Sequence, residues 1–122
     1  MKRDHDRPPG THIRVLVCGG RDWTDEKAVH DFLTKLHEER RIALVIEGGA
    51  RGADRLARTW ARKQGIPNKS FSAHWHVYGR AAGVIRNNTM LHSGKPDLVV
   101  AFPGGRGTAD MVRRAKAAGV EV

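Results

Sequence analysis

Apolar positions along this chain keep two rhythms in alternation. Ile13-Arg14-Val15-Leu16-Val17-Cys18, Ala43-Leu44-Val45-Ile46 and Leu98-Val99-Val100-Ala101-Phe102 are short runs bounded by glycine or proline, and they predict buried strands. Between them the apolar residues recur at helical spacing. Ala28, Val29, Phe32, Leu33 and Leu36 predict a helix capped by Thr24, with Asp25 and Glu26 in its first turn, running to Glu39 or Arg40. Ala53, Leu56, Ala57 and Trp60 mark a second helix over 52–64, closed by Gly65. Ala82, Ile85 and Met90 mark a third over 80–92, and Met111, Val112 and Ala115 a fourth over 108–118, closed by Gly119. Ile66-Pro67 opens an extended segment to about Ala73, and Val120-Glu121-Val122 predicts a last short strand. Strand and helix alternate throughout. Right-handed crossovers then leave an α/β fold: a five-stranded parallel sheet with helices on both faces, in one three-layer domain.

Length agrees with one core: 122 residues suffice for a single domain over 13–122, preceded by a charged, proline-containing stretch, 1–12, that reads as a flexible tail. The lone Cys18 ends an apolar strand and reads as a buried thiol. Nothing resembles a membrane span or a signal peptide, so a cytoplasmic location is expected, with no membrane partner. Charge changes the picture more. The net charge is +9, and between Gly48 and Pro96 nine Lys or Arg face a single acid, Asp54. Such a field attracts nucleic acid or a phosphorylated small molecule.

Three glycine turns stand where strands give way to helices: Gly19-Gly20-Arg21-Asp22, Gly48-Gly49-Ala50-Arg51-Gly52-Ala53-Asp54 and Pro103-Gly104-Gly105-Arg106-Gly107-Thr108. In a parallel sheet all three lie at the carboxyl edge, where ligands bind. Glycine lets backbone N–H groups approach an anion, and the helix behind adds partial positive charge. Neither the dinucleotide fingerprint nor a P-loop is present. Arg51, Arg55, Arg58 and Arg62, spaced four, three and four apart, form one helical stripe that could be a solvated face or meet nucleic acid. His74 and His76 would share a face on a strand, but no third ligand stands at metal spacing, so no metal is expected. Trp75 and Tyr78 could wall a base or sugar.

Taken in order, Gly19 to Asp22, Gly48 to Asp54, Trp75 through Arg86-Asn87, and Phe102 through Thr108 resemble the SLOG superfamily of Rossmann-like proteins. That group includes the LOG-type phosphoribohydrolases and the DNA-processing protein DprA. Within it the chain is similar to the YspA or cpYpsA-related branch, over about 13–122. The resemblance implies a Rossmann-like domain and a nucleotide-derived ligand whose phosphate sits on Gly104, Gly105, Arg106, Gly107 and Thr108. It also implies a homodimer. Gly19, Gly20, Arg21, Asp22, Gly48, Gly49, Arg51, Asp54, Trp75 and Asn87 complete the expected binding set, with the Gly48 to Asp54 turn toward ribose or a second phosphate, Asp54 toward a ribose hydroxyl, and Arg21 and Asp22 either touching the ligand or pairing with each other or capping the first helix. In the LOG enzymes an arginine and a glutamate carry N-glycosidic cleavage. The arginine matches Arg86, whereas the glutamate position holds Met111 and the nearest acid is Asp110. Arg86 and Asp110 are therefore the candidate catalytic pair. Binding as a sensor ranks ahead of hydrolysis, and no cofactor is expected. The alternative is a DprA-like nucleic-acid module using the Arg51, Arg55, Arg58 and Arg62 face, which lacks interleaved aromatics for stacking bases.

Overall fold

The computed structural model describes residues 12–122, so the expected tail lies almost wholly outside the described residues. The elements are β1 (Ile13–Cys18), α1 (Glu26–Arg40), β2 (Ile42–Glu47), α2 (Ala53–Lys63), β3 (Asn68–Ser70), α3 (Trp75–Tyr78), a 3-10 turn (Gly79–Ala81), α4 (Ala82–Gly94), β4 (Leu98–Ala101) and α5 (Arg106–Ala117). The strands form one parallel sheet in the order β3-β2-β1-β4.

Alternation along β1 and β2 sorts side chains into two cores, because successive residues of a strand face opposite ways. Val15, Val17 and Val45 join Val29, Leu33 and Leu36 of α1 and Ala53, Ala57 and Trp60 of α2. Leu16, Ile46 and Val99 join Met90 and Leu91 of α4 and Met111 and Ala115 of α5. The expected three layers are present. Trp60 satisfies its buried indole by donating to Thr34 Oγ1 at 3.0 Å.

Four differences from the sequence reading bear on the site. The sheet has four strands rather than five, since the chain beyond α5 makes only an isolated bridge, Leu98 to Glu121. Asp25, not Thr24, caps α1, with its Oδ1 accepting from Ala28 N at 2.9 Å. The 66–73 segment pairs only over Asn68–Ser70, and Trp75 begins a short helix, so His74 and His76 do not share a strand face. Finally, α5 starts at Arg106 with Gly105 as its cap residue, two residues before the expected Thr108. A glycine pair followed by Arg-Gly reads as turn by composition, yet Gly107 enters a helix once the strand before it is docked.

Candidate functional site

At the carboxyl edge of β1 and β4 the structure opens a cleft of about 440 Å³. Its floor is Cys18, Gly19 and Gly20; Arg86, Asn87 and Met90 of α4 form one wall, and Gly105, Arg106, Gly107 and Thr108 form another. Trp75 and Arg21 stand at the mouth, with the Arg21 guanidinium carbon 4.9 Å from the Trp75 ring centroid. That distance is a cation–π contact.

The glycines of the three turns divide into two kinds. Some are small so that the turns can interlock. Gly20 N donates to Pro103 O at 2.9 Å, and Gly20 O accepts from Trp23 N and Ala53 N, both at 3.2 Å. A Cβ on Gly19 would stand 2.6 Å from the Ala53 Cβ, and one on Gly104 would stand 2.7 Å from Gly20 N. Gly52, at φ 75°, would drive a side chain into the carbonyl oxygens of Gly20 and Arg21. Gly105 and Gly107 are different. A Cβ on either would meet no atom within 4 Å, and both line the cleft. The amides that begin α5 have no intrahelical acceptor, and the first turn of α5 carries no acid. An anion there meets open N–H groups, the helix dipole and the Thr108 hydroxyl.

The turn between β2 and α2 contains the same glycine pair but is internally satisfied. Asp54 Oδ2 accepts from Gly48 N at 3.2 Å and Ala50 N at 3.3 Å, while Glu47 Oε1 accepts from Gly49 N at 2.7 Å. The turn thus carries its own anions. Arg86 lies on it, donating from Nη1 to Gly48 O at 2.7 Å, where any side chain on Gly48 would collide with the guanidinium. Burial pushes the Asp54 carboxyl up to about 6 against the opposing pull of the Ala50 amide and Arg86, and it lowers Arg86 from its ordinary value, opposed by Asp54. The Cys18 thiol, pushed up to about 12 by burial and then by Asp54, is not a nucleophile at neutral pH.

Glu47 was not singled out from sequence, yet it is completely buried. Besides Gly49 it accepts from Arg58 Nη1 at 3.3 Å, from Asn68 at 3.5 Å and, through a short hydrogen bond, from Ser70. Its signal was a carboxylate wedged between a strand apolar on both faces and a glycine pair, where a charge is retained only if donors surround it.

Asn87 ties the two catalytic candidates together without bringing Asp110 to the cleft. Its Oδ1 accepts from Arg86 Nε at 2.9 Å, and its Nδ2 donates to Gly107 O and Asp110 Oδ2, each at 3.0 Å. Asp110 also accepts from Arg113 at 2.6 Å and Arg114 at 2.9 Å. Burial would raise this carboxyl, but the bonds from Asn87 and Arg114 outweigh it and hold the group below its ordinary value. Asp110 therefore positions Asn87, and through it Arg86 and the α5 turn. Met111 is buried in the core.

The remaining expected residues scatter. Asp22 pairs with Arg51 at 3.2 Å on the surface. Arg51 precedes α2 instead of lying on it, and Arg58 turns inward to Glu47, which leaves Arg55 and Arg62 of the expected stripe without those partners' constraints. Gly48, Gly49 and Arg51 line a second hollow of about 340 Å³ beside the cleft. Among the described residues no group of three or more His, Cys, Asp or Glu could hold a metal, and no helix is long and apolar enough to cross a membrane.

Comparison with known proteins places the chain in a family. The chain is 41% identical over 117 residues to the Gene 61 protein of Mycobacterium phage D29, covering 89% of this chain and 93% of that one. A solved structure of phosphoribosylglycinamide formyltransferase (purN) in complex with CHES from Coxiella burnetii is similar at TM-score 0.48 and 15% identity; the match covers 93% of this chain and spans 62% of the formyltransferase. The family model of the YspA, cpYpsA-related SLOG family matches residues 13–78, which include β1, the first two glycine turns and Trp75. The chain belongs to the YspA, cpYpsA-related SLOG family.

Proposed function

We propose that the cleft binds a nucleotide or nucleotide-derived molecule and that the protein acts as its receptor. The observation that carries this reading is the contrast at the α5 turn: open amides and two side-chain-free glycines face a cleft whose opposite rim is an aromatic ring. A phosphate suits the first and a base or sugar the second. Asp54 also lines the cleft, which supports a ribose hydroxyl donating to its carboxylate. Turnover is disfavoured. The carboxylate nearest the catalytic position of the LOG enzymes, Asp110, is occupied by three donors, and a reacting acid misplaced by an ångström loses on the order of a hundredfold in rate.

The test is thermal denaturation with AMP, ADP-ribose and NAD, coupled to chromatography for released base. At a ligand concentration about a hundred times Kd, binding adds about 2.7 kcal/mol, so the expected result is a rise of several degrees with no base released. No shift with any of the three at millimolar concentration overturns binding. Base release that depends on Arg86 would make the protein a hydrolase.

A further inference from the structure

The second hollow beside the cleft shares Arg21, Ala50, Trp75 and Arg86 with it. Arg51 completes a set of three guanidiniums around this hollow, and Ser72 adds a hydroxyl. Three backbone amides of the adjoining turn are already taken. Gly48 N and Ala50 N already donate to Asp54, and Gly49 N donates to Glu47. The arginines are then the principal donors to an anion in the hollow, and they suit phosphate through their planar, multiply donating heads.

Two of those arginines are loosely held. Arg51 is paired only across the surface with Asp22, their side chains 64% and 93% exposed, and such a pair exchanges for a phosphate at little cost. Arg21 rests on the face of Trp75. A ring stacking on that face displaces the guanidinium and frees it for an anion. Arg86 is fixed by Gly48 O and Asn87, and the nearby positive charge of Arg21 opposes its own. A single phosphate at the α5 turn would be met there by Arg106 and leave the second hollow, lined by Arg21, Arg51 and Arg86, without an anion from the ligand.

Resting on the nucleotide reading above, we propose that the ligand is a nucleoside carrying phosphates at two separate positions, one seated on the α5 turn and the other held by Arg21, Arg51 and Arg86, with its ring against Trp75. Both ends of the ligand are then neutralised, and Trp75 lies on the wall the two compartments share.

Calorimetric titration of the wild-type chain and of Arg51→Ala, using AMP, ADP and adenosine 3′,5′-bisphosphate, tests this. Arg51 is a surface side chain, so the variant folds. The wild type should bind the bisphosphate about tenfold more tightly than AMP or ADP, the value of roughly one charge-assisted contact. In Arg51→Ala most of that advantage disappears, while AMP affinity changes much less. Equal affinity for AMP and the bisphosphate, an equal gain with ADP, or an equal loss for all ligands in Arg51→Ala overturns the second phosphate site and leaves nucleotide binding standing. If no nucleotide binds, both readings fall.

Discussion

The turn before α2 and the turn before α5 both carry adjacent glycines at the carboxyl edge of one sheet, and both open onto a helix. One is closed and the other open. Before α2, the carboxylates of Glu47 and Asp54 take the amides of Gly48, Gly49 and Ala50. Before α5, the first helical turn has no acid, and Asp110, one position beyond it, faces Asn87 and two arginines. The difference teaches that a glycine pair at a helix start makes an anion site available only when the protein's own carboxylates leave the amides free.

The largest effect should come from breaking the closed turn at its base. Glu47→Ala removes the acceptor of Arg58, Ser70, Asn68 and Gly49 inside a fully buried site. Removing one partner of such a set costs about 3–5 kcal/mol, measurable as a lower urea midpoint at unchanged m-value. A loss under about 1 kcal/mol, the level of a surface pair, would show that the turn does not depend on its internal anion.

Asp54 sharpens the comparison through pH. Its folded carboxyl titrates at about 6 against an ordinary value of 3.8, so the folded state binds this proton more tightly than the unfolded one. Its contribution is favourable at low pH and is lost as pH rises from about 4 to about 6, by roughly 3 kcal/mol in total. Asp54→Asn keeps an acceptor for Gly48 N and Ala50 N but should flatten that stretch of the stability profile. A profile of unchanged slope between pH 4 and 6, read by denaturant unfolding, would remove Asp54 as the buried anion of the closed turn.

The smallest effect separates the glycines of the open turn. Gly104→Ala forces a methyl against Gly20 N and the Thr108 hydroxyl, and overpacking of that kind costs about 1–3 kcal/mol. Gly107→Ala meets no atom within 4 Å and lies in a helix, so it should be neutral or stabilising by up to about 1 kcal/mol. Its effect should appear in ligand affinity instead, since the new methyl projects into the space offered to phosphate. Equal melting temperatures for the two variants would erase the distinction between packing and ligand-facing glycines.

How much of this was legible beforehand depends on the range of the interaction concerned. The β1, β2 and β4 runs and the four long helices follow from local periodicity, and the two cores follow from strand alternation, because one side chain's direction determines its neighbour's. Arg86, Asn87, Trp75 and the α5 turn were expected near one sheet edge or one ligand by their order in the chain, whereas Cys18, read only as a buried thiol, also lines the cleft. Local signals failed where distant groups compete for one atom. Thr24 and Asp25 are both sound cap types, and the helix begins one residue later than expected, with Asp25 accepting from Ala28 N. Arg58 looked like part of an exposed stripe until Glu47, eleven residues earlier, drew it inward.

By itself the sequence determined a parallel α/β sheet, the placing of three glycine turns at one edge, and a strong positive field around them, since these depend on spacing, chain direction and composition. Tertiary structure decided which turn is open. Hydrogen-bond partners are assigned by contact across the fold: Asp54 reaches back to Gly48, Asn87 reaches forward to Gly107 and Asp110, and Gly20 locks onto Pro103. Once those bonds are taken, the start of α5 still offers amides that no side chain caps.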